Sequence, residues 1–225
     1  MVSENLKKII EHKKKTLLLE YYLKRELKGK LISKVEYAET ALGERVIIYC
    51  AKPRLVLGRN NENLEKIEFI AKNLVGLKNP KIDAVAVENP LLDAEIVADL
   101  IASQIERLGN SAARNIALKI MKKVLDAGAL GIEVRITGKV IGDRSMSIRL
   151  QKGYIKKSGE LNKLAKKAVR HAKLPSGVIG VQVRILRPDV TLYDRVTIKE
   201  VSEIQPEELE KIDPSLLEKF KKKFE

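Results

Sequence analysis

The chain has 225 residues, 44% of them hydrophobic and 33% charged; 44 lysines and arginines stand against 30 aspartates and glutamates, a net charge of +14. That hydrophobic share excludes a wholly disordered chain, and apolar runs such as 17–19 and 130–132 are far shorter than the roughly 20 residues a membrane-spanning helix needs. The length leaves room for one large domain or two small ones, each with its own core.

The opening Ser3-Glu4-Asn5, soon followed by lysines, has no apolar stretch before a small-residue cleavage site, so neither a secretory signal nor a membrane partner is expected. Cys50 has no second cysteine to pair with, which fits a reducing cytoplasm, and its apolar run at 46–51 reads as the setting of a buried structural thiol. His12 and His171 stand near no second ligand at a recognised metal spacing, so no metal and no cofactor is expected.

In chain order, Ser3 is a capping residue for a helix whose Leu6, Ile9 and Ile10 recur at helical spacing. Residues 17–27 continue the pattern as far as Gly29, with a break admissible at 13–16. Residues 32–38 and 45–51 are rich in β-branched and aromatic residues and flank a turn at 41–44, a hairpin pattern. After Pro53, a short helix, a tight loop at Gly58-Arg59-Asn60-Asn61 and a second helix with Leu64, Ile67, Ile70 and Leu74 on one face are predicted. Residues 81–87 form a third strand, closed by Asn89-Pro90. Asp93 then caps a helix with Val97, Leu100, Ile101, Ile105 and Leu108 on one face, ending at Gly109.

Ser111 opens the clearest helix, with Ala113, Ile116, Ala117, Ile120, Met121 and Val124 facing inward and Gly128 stopping it. Arg114, Asn115, Lys119, Lys122 and Lys123 must point away from that stripe. Ile132, Val134 and Ile136 alternate with Glu133, Arg135 and Thr137, and Met146, Ile148 and Leu150 alternate with Ser147, Arg149 and Gln151: half-buried strands with a basic outer face. Residues 178–186 alternate likewise. Residues 161–172 carry Leu161, Leu164, Ala165, Ala168, Val169 and Ala172 at helical spacing. From about Val190 the chain is acidic, then lysine-rich, with a helix start at Asp213-Pro214 running into the lysines at 221–223.

Charge is unevenly spread. Residues 107–187 hold 19 basic and 4 acidic groups, whereas residues 31–106 hold 9 basic and 12 acidic. Such an excess repels itself unless a polyanion lies against it, so 107–187 is the expected RNA contact. Few aromatics and no tryptophan exclude a surface of stacking platforms, leaving phosphate and groove contacts.

The loop at 58–61 feeds a helix N-terminus, where glycine lets a backbone approach a phosphate and Arg59 adds charge. Helix, two strands, short helix, loop, helix, strand is the order of a type II K-homology module, in which such a loop clamps single-stranded RNA. The segment Lys52-Pro53-Arg54-Leu55-Val56-Leu57-Gly58-Arg59-Asn60-Asn61-Glu62-Asn63 resembles the K-homology segment of the family of small ribosomal subunit protein three, its archaeal members above all. The likeness continues through 93–107, Gly128-Ala129-Leu130-Gly131-Ile132-Glu133-Val134, Thr137-Gly138-Lys139 with Gly142, Ala168-Val169-Arg170-His171 and Gly177-Val178-Ile179-Gly180-Val181, covering roughly residues 5–187.

The resemblance implies an α+β chain. A type II K-homology domain (α-β-β-α-α-β) over 1–92 is followed by a basic sandwich-like domain at 93–190, with two helices against a mostly antiparallel sheet, and by a tail at 191–225. It implies a non-enzymatic constituent of the small-subunit head in the cytoplasm. Its partners would be small-subunit ribosomal RNA, messenger RNA at the channel where it enters, and neighbouring head proteins. The clamp residues would be Lys52, Arg54, Gly58, Arg59, Asn60 and Asn61. Asn61 replaces the usual closing glycine, and asparagine tolerates the left-handed conformation.

On the helix at the messenger-RNA entrance, Arg114 matches a family position, Asn115 replaces an arginine, and the lysine expected a turn later falls at Leu118. That shifts the grip onto Lys119, Lys122 and Lys123. Ribosomal RNA is assigned to Arg135, Lys139, Arg144, Arg149, Lys152, Lys156, Lys157, Arg170 and Lys173. The family treats 161–172 as extended, against the local helical pattern.

Two other classes compete. An abasic-site lyase-like enzyme, a chemistry reported for some eukaryotic relatives, needs an amine of depressed pKa or a positioned carboxylate pair; no lysine is singled out by its context, and Walker-type loops, zinc spacings and G-x-S-x-G elbows are absent. A free regulator would use the clamp loop on single-stranded message and sediment away from ribosomes.

Overall fold

The computed structural model describes residues 4–40, 43–58, 61–159 and 161–190. The proposed cap Ser3, the turn residues Ala41 and Leu42, Arg59, Asn60 and the tail helix lie outside the described residues. Helix α1 (Glu4–Glu26) runs without the break admitted at 13–16. Its second half sinks Leu19 and Leu23 into the first core, while Leu6, Ile9 and Ile10 are more than half exposed.

Strands β1 (Ile32–Thr40) and β2 (Gly43–Cys50) pair antiparallel, and β3 (Lys81–Ala86) adds parallel to β2, giving the order β1-β2-β3. Between β2 and β3 lie helices α2 (Pro53–Leu57) and α3 (Glu62–Asn73). Proline supplies the first turn of α2, where no backbone donor is needed. Ile67 and Ile70 are buried, but Leu74, expected on the same face, is the residue just past the helix end and is half exposed. Cys50 is fully buried, its thiol facing the Val85 carbonyl at 3.7 Å, and burial pushes the thiol pKa up. It is the structural thiol that its apolar run predicts.

A single 3₁₀ turn (Pro90–Leu92) leads into α4 (Ala94–Leu108), where the Asp93 carboxylate accepts the backbone N–H of Glu95 at 3.2 Å. Helix α5 (Ala113–Asp126) begins two residues later than Ser111 predicts: Ala112 is the capping residue, and the Ser111 N–H is taken by the Asn110 side chain at 3.1 Å. The second sheet has the order β5-β4-β7-β6, from β4 (Gly131–Gly138), β5 (Met146–Gly153), β6 (Lys166–Leu174) and β7 (Gly177–Leu186), all antiparallel. One face of this sheet, with Ile132, Val134, Ile136, Val181 and Val183, is buried under α4 and α5; the other carries no helix of this core.

The segment with helical periodicity splits. Only Leu161–Leu164 forms a turn of helix, α6, and Lys166–Leu174 is a strand. Pairing with β7 along its whole length, from Lys166 opposite Ile185 to Leu174 opposite Gly177, outweighs the local pattern and leaves Val169 half exposed.

Candidate nucleic-acid interface

The predicted site residues fall into three groups. In the first, Lys52 precedes α2 and Arg54 lies within it, both exposed. Gly58 has φ +82, and its N–H closes α2 on the Arg54 carbonyl at 3.1 Å. A β-carbon here would come within 2.4 Å of the terminal amide of Asn63, which a turn of that side chain relieves, so glycine is favoured by the positive φ rather than by space. Asn61 occupies the left-handed region at φ 62, ψ 18, the conformation its substitution for glycine demands. Arg59 and Asn60 lie outside the described residues. The α3 N-terminus offers a phosphate the positive end of a dipole, yet Glu62 and Glu65 stand exposed in that first turn and answer part of it with negative charge.

The second group is the outer surface of α5. Ala113, Ile116, Ala117, Ile120, Met121 and Val124 are buried, so Arg114, Asn115, Lys119, Lys122 and Lys123 are all turned to the exposed side. None of its four cations is in an ion pair with another described residue.

The third group is divided by the pleat of the second sheet. Arg135 and Arg149 sit opposite each other on β4 and β5, on the face away from the helices. Lys152, opposite the inward-facing Ile132, belongs to the helix side of the sheet although it is exposed. Lys139 and Arg144 are exposed in the β4–β5 connection, where the Lys139 carbonyl accepts from the Asn110 side chain at 3.1 Å. Lys156 and Lys157 are exposed beyond β5, and Lys173 is exposed on β6.

Arg170 is the exception. Its Nε donates to Asp99 at 2.6 Å and its Nη2 lies 2.5 Å from a Glu95 carboxylate oxygen, both on α4, with 19% of the side chain exposed. The Glu95 contact is an ion pair whose angles do not make a hydrogen bond. Arg170 therefore holds β6 against α4, and its charge is shared with two carboxylates. Helix α4 and its cap also meet the N-terminal domain, through Lys24 against Glu95 at 3.5 Å, Lys28 against Glu106 at 2.7 Å and the buried Ser33–Asp93 hydrogen bond. Burial pushes the Glu106 carboxyl up, but Lys28 and the backbone N–H of Lys173 outweigh it and hold the carboxyl below its ordinary value.

The sequence reading missed Glu133 as a site residue, together with Ser147, Gln182 and Arg184. The strand register sets them in rows across the outer face: Gln151, Glu133, Arg184, Lys167 in one, Arg149, Arg135, Gln182, Val169 in the next. Glu133 is 4% exposed despite lying on this face, because Arg149 donates its Nε to one carboxylate oxygen and Arg184 stands 3.9 Å from the other. A single acid inside an alternating, otherwise basic strand was the available signal. Among the described residues, no cluster of three potential metal ligands occurs and no helix is long and apolar enough to cross a membrane.

The model of "KH domain" matches residues 18–92, and that of "Ribosomal protein S3, C-terminal domain" matches residues 101–185. The small ribosomal subunit protein uS3 of Nanoarchaeum equitans is 34% identical over 100% of this chain and 96% of its own length. The uS3 of Methanocaldococcus jannaschii is 39% identical over 85% and 91% respectively, and that of Saccharolobus solfataricus 33% over 97% and 92%. The K-homology order of elements, the antiparallel C-terminal sheet under two helices and these full-length matches agree: the chain belongs to the small ribosomal subunit protein uS3 family.

Proposed function

We propose that this chain is a structural, non-enzymatic constituent of the small ribosomal subunit in the cytoplasm, seated on ribosomal RNA by the cations of its C-terminal half. The observation that carries the reading is the charge of 107–187, 19 cations against 4 acids in the sequence with most of those cations exposed, and the four cations of the α5 surface have no carboxylate partner among the described residues. Counterions released from RNA phosphates are the natural answer to such a surface.

The ribosomal RNA contacts are Arg135, Lys139, Arg144, Arg149, Lys152, Lys156, Lys157 and Lys173, with Arg170 tied to α4 by Asp99 and Glu95. Arg114, Asn115, Lys119, Lys122 and Lys123 form a continuous polar helix surface suited to the phosphates of messenger RNA at its entrance. The clamp loop contributes less, since Glu62 and Glu65 share its helix end. Neighbouring head proteins are expected partners of the uncovered apolar residues of α1, Leu6, Ile9 and Ile10. Charge reversal at Lys152, Lys156 and Lys157, followed by sucrose-gradient sedimentation of the tagged protein, tests the assignment. Loss from the small-subunit fraction is expected; normal incorporation of the reversed variant contradicts it.

A further inference from the structure

The outer face of the second sheet holds more than a diffuse positive patch. Arg135 and Arg149 are directly opposite across β4 and β5, a like-charge pair that costs stability on an isolated sheet. Both are tethered by the same atom. Arg135 Nε donates to Ser147 Oγ at 3.0 Å and Arg149 Nε to Glu133 Oε1, so each guanidinium is fixed in orientation with its two terminal nitrogens lacking an acceptor among the described residues. Guanidiniums held this way present paired donors to a phosphate oxygen.

Beside them lies a depression of about 60 Å³, walled by Glu133, Arg135, Arg149, Gln182 and Arg184. The second carboxylate oxygen of Glu133 is buried there without a hydrogen-bond donor, because the Arg184 guanidinium at 3.9 Å is an ion-pair neighbour beyond hydrogen-bonding distance. A buried acceptor left unmatched is costly, and a phosphate oxygen, itself an acceptor, cannot match it. What fits is a group that joins a phosphate to a nearby hydroxyl donor. In RNA the ribose 2′-hydroxyl adjoins the backbone phosphate; DNA lacks it.

We infer that this cluster is a ribonucleotide-backbone site, in which Arg135 and Arg149 hold a phosphodiester group and Glu133 accepts the hydrogen bond of an adjoining 2′-hydroxyl. The inference rests on the RNA-binding reading above and adds to it a means of telling RNA from DNA. Ser147 acts as a positioning residue for Arg135. No bond is made or broken.

The test is equilibrium binding of the full chain, by fluorescence anisotropy, to a hairpin of small-subunit ribosomal RNA and to its all-deoxy counterpart over a range of salt. The wild type is expected to prefer RNA. Glu133→Ala should shrink that preference roughly tenfold, the size of one lost charge-assisted hydrogen bond, while the salt slope stays; Glu133→Gln, which retains an acceptor, should restore part of it. Arg135→Gln, an exposed change that leaves Glu133 paired, should lower the salt slope by about one for both hairpins and keep the preference. An unchanged RNA-to-DNA ratio in Glu133→Ala, or an unchanged slope in Arg135→Gln, overturns the site alone. Failure of the wild type to bind ribosomal RNA at low salt overturns the RNA-binding reading as well.

Discussion

The two halves of the described chain solve the same problem in opposite ways. The K-homology half has the architecture associated with gripping RNA, including a glycine at φ +82 and an asparagine in the left-handed region at the loop, yet its residues 31–92 carry 9 basic against 8 acidic groups, and it sets Glu62 and Glu65 at the helix end where a phosphate would lie. The C-terminal half has no clamp loop, yet it exposes a helix surface and a sheet face lined with cations. The difference teaches that backbone geometry makes a place for a phosphate, whereas affinity depends on uncompensated charge around it.

The comparison breaks most visibly under charge removal. Replacing Arg114, Lys119, Lys122 and Lys123 together by glutamine should lower RNA affinity by several orders of magnitude at low salt and flatten the salt slope by about three to four. The same treatment of Lys52 and Arg54 should cost far less, and filter binding at matched ionic strength reads both. Arg170→Ala should instead cost about 2–4 kcal/mol of stability, since it strands Asp99 and leaves Glu95 with Lys24 alone; thermal denaturation measures it, and the salt slope of RNA binding should hold.

Gly58→Ala should destabilise by about 1–3 kcal/mol through strain at positive φ, with Asn63 turning aside, and with little change in RNA affinity. A larger effect on affinity than on melting would move weight back to the clamp.

The smallest effect is pH dependence. Glu36 lies below its ordinary value through its Lys34 hydrogen bond, against opposing burial. Burial pushes Glu44 up, but the Tyr37, Lys78 and Lys15 hydrogen bonds outweigh it, and Glu106 on α4 is likewise depressed. A carboxyl depressed in the folded state stabilises above its unfolded pKa, and that contribution is lost as pH falls through the folded value. Amides of β1 and β2 should therefore lose hydrogen-exchange protection on acidification before those of β4 and β7.

How much of this could be read from the sequence follows the range of the interactions involved. The hairpin, α4 with its Asp93 cap, α5 and the alternating strands follow from local periodicity, because their burial stripes are written in consecutive residues. Residues 166–174 do not: their spacing is helical, and only pairing with β7 makes them a strand, which resemblance to the family conveyed and periodicity did not. The α5 surface was readable because whatever faces away from a buried stripe is exposed. The pairing of Arg170 with Glu95 and Asp99 is not readable locally, since these partners lie some 70 positions away in sequence, nor is the pleat that sends Lys152 and Arg149 to opposite faces. Glu133 was passed over because alternation marks it as outward-facing and cannot show that two arginines bury it.

The central claim is that RNA phosphates neutralise the cations of the C-terminal half. Titrating the full chain onto small-subunit ribosomal RNA from low to physiological salt tests it most directly. A log–log slope of about −3 or steeper is predicted, from four or more phosphate contacts at about 0.7 to 0.9 each. A slope near zero, or no binding at low ionic strength, contradicts the account.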